Sequence, residues 1–302
     1  MTSLHAPTAR LRETLPAFQD RLRLGVEGLS VSPYCVGAVR EPSAVLEAYD
    51  RGINFFFLTA DMHWPHYEAL RRGLGELLRS RPGARDRIVV GAVSYVAEPE
   101  FAVAPFYEVL DAVPGLERLD LTIVGGVNGE QHERLDTFAT HRTRRRVPGV
   151  RATGATFHDR AAAVSLLASG RPDIAFIRYN ADHRGAEHDV FPVLARPRSS
   201  LLFNFKSTVG FVPHRRLPEL GFDGDAWRPA VTDHYRFVLT QAQMDGVLFA
   251  PGDAAEVASL DAALLRGPLC REELSYMNCL ADLHLGRARW KRTTHEAVAA
   301  AS

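Results

Sequence analysis

The sequence predicts an α/β protein, and within that class a (β/α)8 TIM barrel. Short apolar and β-branched runs alternate eight times with longer segments of helical period, the pattern of parallel strands joined by crossover helices. The 302 residues contain no Gly/Ser-rich linker and no shift of composition that would mark a second domain. A doubly wound open sheet is the alternative fold for the same pattern.

Each predicted strand is an apolar run bounded by turn residues. The segments between the strands are long enough for a helix that returns the chain to the same end of the sheet. In chain order, the predicted strands span residues 34–39, 53–58, 88–93, 119–124, 150–155, 174–179, 201–205 and 246–250.

The helices between the strands carry recognisable start and stop signals. Asp159 can cap a helix that ends before Gly170, because a carboxylate accepts from free N–H groups and glycine adopts the left-handed terminal conformation. A helix over residues 254–265 follows the last strand. Residues 271–283 form a further helical pattern, so the sequence predicts an extra C-terminal helix.

Composition narrows the classes of function. Thirty-six basic residues balance thirty-six acidic ones, so net charge gives no reason to expect nucleic acid as a partner. No apolar run is long enough to span a bilayer, and the first 25 residues lack the apolar core of a signal peptide. The three cysteines have no zinc-ligand spacing. We therefore expect a cytoplasmic protein without a membrane partner, acting on a small molecule.

Five segments along the chain carry recognisable motifs. They are RLGVEGLSVS at 23–32, GINFFFLTAD at 52–61, RATGATF at 151–157, PDIAFIRYN at 172–180 and HYRFVL at 234–239. These segments resemble the aldo-keto reductase superfamily, in the same order along the chain. The resemblance implies one barrel over residues 22–285, a hairpin that closes its bottom, an N-terminal extension over residues 1–21 and a tail over residues 286–302.

The four catalytic residues of that superfamily are missing. Leu58 stands at the position of the catalytic Asp, and His63 at that of the Tyr. The third strand ends at Val93 and Ser94 without the Lys, and the fourth ends at Gly125 without the His. The chain therefore resembles a divergent member that lacks the Asp/Tyr/Lys/His tetrad, and cannot tune a tyrosine with a lysine–carboxylate pair.

The cofactor contacts implied by the resemblance are also depleted. Thr156 and Phe157 replace a Ser-Asn pair, and Phe176 replaces a Gln, so a nicotinamide carboxamide loses polar partners. The loop at 251–256 offers no basic or hydroxyl side chain for a 2′-phosphate. Phe205 alone keeps its place, as the aromatic residue that stacks on nicotinamide. No cofactor is therefore predicted, and NADP stays an alternative that depends on Phe205.

His63, Asp61 and Lys206 are the candidate catalytic residues. Imidazole as a residue type changes its charge near neutral pH, so a histidine where the tyrosine is expected can carry protons. Asp61 could orient that ring or cap the next helix, and Lys206 could transfer a proton or form a Schiff base. His66 completes a possible metal-ligand run with Asp61 and His63, although no fourth ligand is evident and no metal is predicted.

Five residues are candidates for binding substrate. If Phe176 points into the barrel so does Arg178, which then needs a carboxylate from the protein or from a substrate. Each of the others also has a structural alternative, as a packing, loop or turn residue. They are Trp64, Tyr95, His158 and Asn180.

Three functions remain open on this evidence. The first is acid–base chemistry without hydride transfer, of lyase, dehydratase or isomerase type, on a small metabolite that Arg178 or Lys206 would hold if it is anionic. The second is an atypical NAD(P)H-dependent oxidoreductase with His63 as proton donor. The third is a catalytically silent barrel that binds a ligand or partner. Loss of catalytic and cofactor residues together favours the first.

Overall fold

A computed structural model describes residues 10–61, 63–129, 132–194, 197–222 and 225–287. It confirms the predicted (β/α)8 barrel: eight parallel strands close into one sheet. Each strand pairs with its successor along the chain, and the last strand closes the circle against the first. The open-sheet alternative is therefore excluded.

The strands follow the predicted apolar runs to within a few residues. The hairpin is formed by β1 (Leu22–Leu24) and β2 (Leu29–Val31). The barrel strands are β3 (Tyr34–Val36), β4 (Phe55–Thr59), β5 (Val89–Ser94), β6 (Leu121–Val127), β7 (Ala152–Phe157), β8 (Ile174–Arg178), β9 (Leu201–Phe205) and β10 (Gly246–Phe249).

Helices surround the sheet, and the predicted extra C-terminal helix is present. Asp159 caps α6 by accepting from the N–H groups of Ala161 and Ala162, as its sequence position predicted. The helices are α1 (Ser43–Asp50), α2 (Glu68–Ser80), α3 (Ala84–Arg87), α4 (Ala104–Ala112), α5 (His132–Thr143), α6 (Arg160–Ala168), α7 (Ala186–Asp189), α8 (Val231–Thr240), α9 (Ala254–Leu264) and α10 (Arg271–His284). None of the described helices has the length and apolar composition that a membrane crossing requires.

Successive side chains along each strand point alternately into and out of the barrel. They therefore form two cores, one inside the barrel and one between the barrel and the helices. Phe55, Phe176 and Phe203 point inwards and meet edge to face, with ring centroids 5.7 to 5.9 Å apart. Their chain neighbours, such as Phe56 and Ile177, pack outwards under the helices. The aromatic rings fill the interior, so the barrel is a packed core whose free space lies at its mouth.

The β1–β2 hairpin closes the bottom of the barrel, as predicted. Leu24, Leu29 and Val31 are buried in the interior cluster. The hairpin turn lies very close to the barrel strands. A Cβ on Gly25, whose φ is +68°, would lie 3.3 Å from the side chains of Ala152 and Asp173. The hairpin therefore seals the amino-terminal ends of the strands and leaves the opposite end for ligands.

Residues 10–21 lie against the outside of the barrel. Phe18 is fully buried, with its ring centroid 4.7 Å from that of Tyr34. The Arg12 N–H donates to the Thr240 carbonyl, which fixes the segment beside α8. The predicted extension and tail remain predictions as domains, and residues 1–9 and 288–302 lie outside the described residues.

Candidate functional site

A cavity of about 330 Å³ opens at the carboxyl ends of the barrel strands. Its floor is apolar and its rim carries histidines, tyrosines and a lysine, the usual composition of a small-molecule site. The lining residues are Ala38, Phe57, His63, His66, Tyr67, Tyr95, Thr156, His158, Phe176, Phe205, Lys206, Ser207, Thr208, Tyr235, Leu248 and Ala250.

His63 lies at this cavity, on the loop after β4. The loop turns at once into a short 3-10 helix, Trp64–Tyr67, which holds the imidazole at the rim. The ring meets Tyr95 edge to face, with centroids 5.3 Å apart and planes at 63°. The sequence indicated that Asp61 could orient this ring, but neither ring nitrogen has a hydrogen bond within the described residues. Both are therefore available to a ligand.

Asp61 has a different role from the one expected. Its carboxylate accepts from the Ser94 hydroxyl and from the Tyr95 N–H, both at 2.7 Å. It neither orients His63 nor caps the following helix through these bonds. Because both partners lie at the end of β5, Asp61 ties the loop after β4 to the loop that carries Tyr95. It is a positioning residue for the tyrosine.

The inward residue near the end of β4 is Phe57, and the alignment with Leu58 needs correction. Leu58 is fully buried in the outer core beneath the helices, whereas Phe57 lines the cavity. Successive side chains on a strand face opposite sides, so a one-residue shift in the alignment exchanges inside for outside. A phenyl ring therefore faces the cavity near the end of β4.

Tyr95 packs directly against the end of β6 at Gly125. A Cβ added to Gly125 would lie 2.6 Å from the Tyr95 ring, so the ring rests directly on the glycine backbone. Burial raises the pKa of the Tyr95 phenol, while a hydrogen bond with Thr156 acts in the opposite direction. The phenol therefore stays protonated at neutral pH and can donate a hydrogen bond.

Tyr67 is a cavity residue that was not among the candidates predicted from the sequence. It lies in the cavity wall beside Phe57, with ring centroids 6.4 Å apart. Burial raises the pKa of Tyr67 well above its ordinary value. The short 3-10 helix Trp64–Tyr67, which begins directly after His63, brings both residues to the cavity.

His158, Arg178 and Lys206 lie side by side at the ends of β7, β8 and β9. Phe157 pairs with Ile177, and Arg178 pairs with Phe205, so the register brings the three basic residues together. The His158 ring and the Lys206 Nζ lie 5.4 Å and 5.9 Å from the centre of the Phe205 ring. We call these three residues the basic corner.

The pKa of His158 reports the charge around this corner. Burial is the largest cause that lowers the pKa of His158, and the positive charges of Lys206 and Arg178 lower this pKa further. His158 is therefore neutral at neutral pH, and an anion in the corner would raise its pKa.

Asn180 supports the corner from behind and is not available to substrate. It is fully buried. Its amide donates to the Lys206 carbonyl at 2.8 Å, and its oxygen accepts from the N–H groups of Asp182 and His183. Lys206 has a φ of +61°, which is rare for a residue with a side chain. Asn180, which was predicted to contact substrate, instead stabilises the strained backbone of Lys206.

Trp64 lies outside the cavity, contrary to its predicted role. The Arg71 guanidinium stacks over its indole at 3.5 Å and also donates to its carbonyl oxygen. The 3-10 helix that begins at Trp64 turns the ring towards α2 and the outer core.

The amino terminus of α9 is already occupied by carboxylates of the chain. Asp253 accepts from the Glu256 N–H, and Glu256 accepts from the Gly252 N–H at 2.8 Å. Arg40 lies against Gly252 and donates to Glu256 at 2.7 Å. Helix termini of this kind bind phosphate through free N–H groups, and here the N–H groups of Gly252 and Glu256 already have side-chain acceptors.

No group of three or more potential metal ligands comes together within the described ranges. One oxygen of the Asp61 carboxylate accepts from Ser94 and Tyr95, which lie outside the run with His63 and His66 that the sequence suggested.

Comparison with known proteins supports the fold. No protein-family model and no curated protein matches the sequence. An aldo-keto reductase from Bacillus halodurans, in its holo form, superposes with a TM-score of 0.67 at 15% identity, over 91% of this chain and 99% of that one. A Bombyx mori aldo-keto reductase in complex with NADP gives 0.62 at 16% identity, over 89% and 94%.

A glycerol dehydrogenase from Gluconobacter oxydans also superposes, with a TM-score of 0.62 at 13% identity, over 91% of this chain and 98% of that one. The described chain is thus a barrel with the aldo-keto reductase fold, as its sequence motifs predicted. Identities this low establish the fold, and the function must be argued from the site.

The residues present do not fit the nicotinamide cofactor of such reductases. The resemblance places the nicotinamide on Phe205, where Lys206 and Arg178 add positive charge beside a ring that is itself cationic when oxidised. At the other end, the carboxylate of Asp253 caps the helix where a nucleotide phosphate would need donors.

Proposed function

We propose that this protein is an enzyme with a refitted active site that performs acid–base chemistry on a small metabolite without hydride transfer. The reaction is of lyase, dehydratase or isomerase type. The observation that carries the proposal is the pair His63 and Tyr95, which face one cavity with an unbonded imidazole beside a protonated phenol.

The two side chains have complementary capabilities. His63 can accept a proton from a carbon next to a carbonyl group, and the electron pair then moves onto the carbonyl oxygen as an enolate. The Tyr95 hydroxyl can donate a hydrogen bond to that oxygen, which stabilises the developing charge. Return of the proton from His63 to another atom, or to a leaving group, completes an isomerisation or an elimination.

Deuterium exchange in the absence of nucleotide tests this proposal. Small ketones, aldehydes and oxo acids are incubated with the protein in D₂O, and loss of C–H signals is followed by NMR. We expect enzyme-dependent exchange for a subset, reduced about a hundredfold or more by His63→Gln with little change in melting temperature. His188→Gln, an exposed histidine on α7, is the matched control.

Two outcomes would contradict the proposal. Exchange that is equally fast in His63→Gln would remove the imidazole from the mechanism. Tight NADPH binding would favour the reductase alternative, which is supported by the named activities of the superposed structures. We expect NADPH to bind no tighter than about 100 μM in calorimetry, about −5.5 kcal/mol.

A further inference from the structure

We infer that the basic corner, His158, Arg178 and Lys206, binds the carboxylate of a small substrate that has an apolar body. This inference rests on the proposed function only where it concerns the part of the substrate that reacts. Binding itself is independent of any chemistry.

Position is the first argument. The three residues end consecutive strands of the barrel, and the paired residues Phe157–Ile177 and Arg178–Phe205 fix their register. His158 and Lys206 both line the cavity and both lie within 6 Å of the Phe205 ring centre. The arrangement is therefore set by the sheet itself, which is more rigid than a surface cluster of lysines and arginines.

Charge is the second argument. No carboxylate of the described residues lies within ion-pair distance of Arg178 or Lys206, and the buried Arg178 Nε has no hydrogen-bond partner there. Neighbouring arginines differ: Arg160 pairs with Asp189 at 2.6 Å, and Arg184 with Asp282 at 2.7 Å. Arg178 does not itself line the cavity, but its guanidinium is close enough to affect His158 and carries positive charge that no carboxylate of the described residues neutralises. An anionic ligand in the corner would be attracted by that charge.

The strained backbone of Lys206 is the third argument. A positive φ is unfavourable at a residue with a side chain, and the Asn180 amide holds the Lys206 carbonyl in that conformation. Ser207, the next residue, donates to Asn204, whose own amide donates to the Tyr179 carbonyl. Several buried hydrogen bonds thus hold the backbone around Lys206 in place at the rim of the cavity.

The rest of the cavity defines the body of the ligand. Phe57, Phe176, Phe205 and Leu248 form an apolar floor below the corner. His63 belongs to the opposite part of the barrel, after β4, so a bound carboxylate would leave the remainder of the molecule over the floor and facing the imidazole. A cavity of about 330 Å³ suits a molecule of one ring or a short branched chain.

Benzoate and benzamide form a matched pair of probes, because they share shape and differ in charge. The readout is the pKa of His158, measured from its imidazole C–H signals in an NMR titration and assigned by their loss in His158→Gln. We expect benzoate to raise this pKa by about one unit and benzamide to leave it unchanged. Arg178→Met and Lys206→Met should each weaken benzoate binding about tenfold or more.

Arg79→Met is the control, since Arg79 is an exposed arginine in the last turn of α2. It should bind benzoate like the wild type. Lys206 is exposed, so its substitution tests the corner even if loss of the half-buried Arg178 impairs folding. Equal binding of benzamide and benzoate, or unchanged benzoate binding in Lys206→Met, would overturn the inference. Stronger binding of inorganic phosphate than of benzoate would overturn the assignment to a carboxylate.

Discussion

His141 is a buried imidazole that the proposed chemistry does not use. It is fully enclosed between Phe106 and Phe138, with ring centroids 5.4 Å and 4.9 Å away, and neither ring nitrogen has a hydrogen-bond partner among the described residues. Burial, followed by the positive charge of Arg146, lowers its pKa to about 4. His141 is therefore an uncharged packing residue, and its protonation opposes folding.

This gives a prediction for stability at acid pH. The folded pKa of His141 lies below its unfolded value of 6.5, so the unfolded chain binds the proton more readily. The free energy of unfolding should fall as the pH drops from about 6.5 towards 4. In His141→Leu that loss should be smaller, by on the order of 2 kcal/mol at pH 4.5.

Urea unfolding at pH 7.5 and pH 4.5 measures the effect. His188→Gln should keep the wild-type pH dependence, because its side chain is exposed. A residual dependence is expected in His141→Leu from His234, whose pKa is also lowered to about 4 by burial. An identical pH dependence in His141→Leu and wild type would refute this account.

For individual residues, the side-chain type predicts which chemistry a residue is capable of, but it does not predict which groups the side chain contacts. Asp61, Trp64 and Asn180 have suitable groups for a binding site. Their groups are instead satisfied by Ser94, by Arg71 and by the turn after β8, respectively. These partners are distant in sequence or set by local turn geometry, and side-chain type alone contains no information about them.

At the scale of elements, the close approach of Tyr95 to β6 decides the shape of the cavity. The tyrosine ring can lie there only because Gly125 has no side chain. We expect Gly125→Ala to displace the ring, since the new methyl group would lie 2.6 Å from it. Both benzoate affinity and the exchange reaction should fall, with a destabilisation of about 1–3 kcal/mol from overpacking.

Gly129→Ala offers a matched control near the same strand end, because no atom lies within 4 Å of its added Cβ. Calorimetric ligand titration and thermal unfolding of both variants separate the steric effect from the loss of a glycine. If the two variants behave alike, Tyr95 does not depend on Gly125 for its position.

Sequence similarity was least reliable in predicting which residues of a strand point into the barrel. The run of three phenylalanines and a leucine in β4 is apolar on both faces, so no alternation marks which residues point inwards. Matching the threonine and alanine that follow placed Leu58 at the catalytic position. Matching the glycine that precedes the strand would have placed Phe57 there, in agreement with the structure.

At the scale of the whole molecule, the amino-terminal segment is bound to the barrel through Phe18. The ring lies between Tyr34 of β3 and Phe249 of β10, where the sheet closes on itself. Phe18→Ala should cost about 3–5 kcal/mol of stability, because a fully buried ring leaves a cavity. Benzoate affinity should not change, since the ring is outside the barrel.

Val26→Ala is the corresponding control, as Val26 is 74% exposed on the hairpin turn. Denaturant unfolding with a benzoate titration at low denaturant distinguishes stability from site geometry. A Phe18→Ala protein as stable as the control would mean that residues 10–21 contribute little to the closure of the barrel.

The barrel as a whole was predictable because its signal is repeated. Eight strand–helix units, a hairpin pattern and a terminal helix all agree, so an error in one boundary, such as the early end of β3 at Val36, leaves the topology intact. The candidate site has no such redundancy. It depends on which of two adjacent residues faces inwards and on contacts between loops, so prediction identified His63, Lys206 and Tyr95 but overlooked Tyr67.

The carboxylates at the start of α9 also have a consequence for competition. Glu256 is covalently attached beside the Gly252 N–H, so its effective concentration there is of the order of millimolar or higher. A phosphate group approaching from solution would have to displace this tethered competitor and separate it from Arg40. Any anion that approached this helix terminus would therefore compete with a carboxylate of the chain itself, and its apparent affinity would be reduced by the fraction of time that Glu256 is in place.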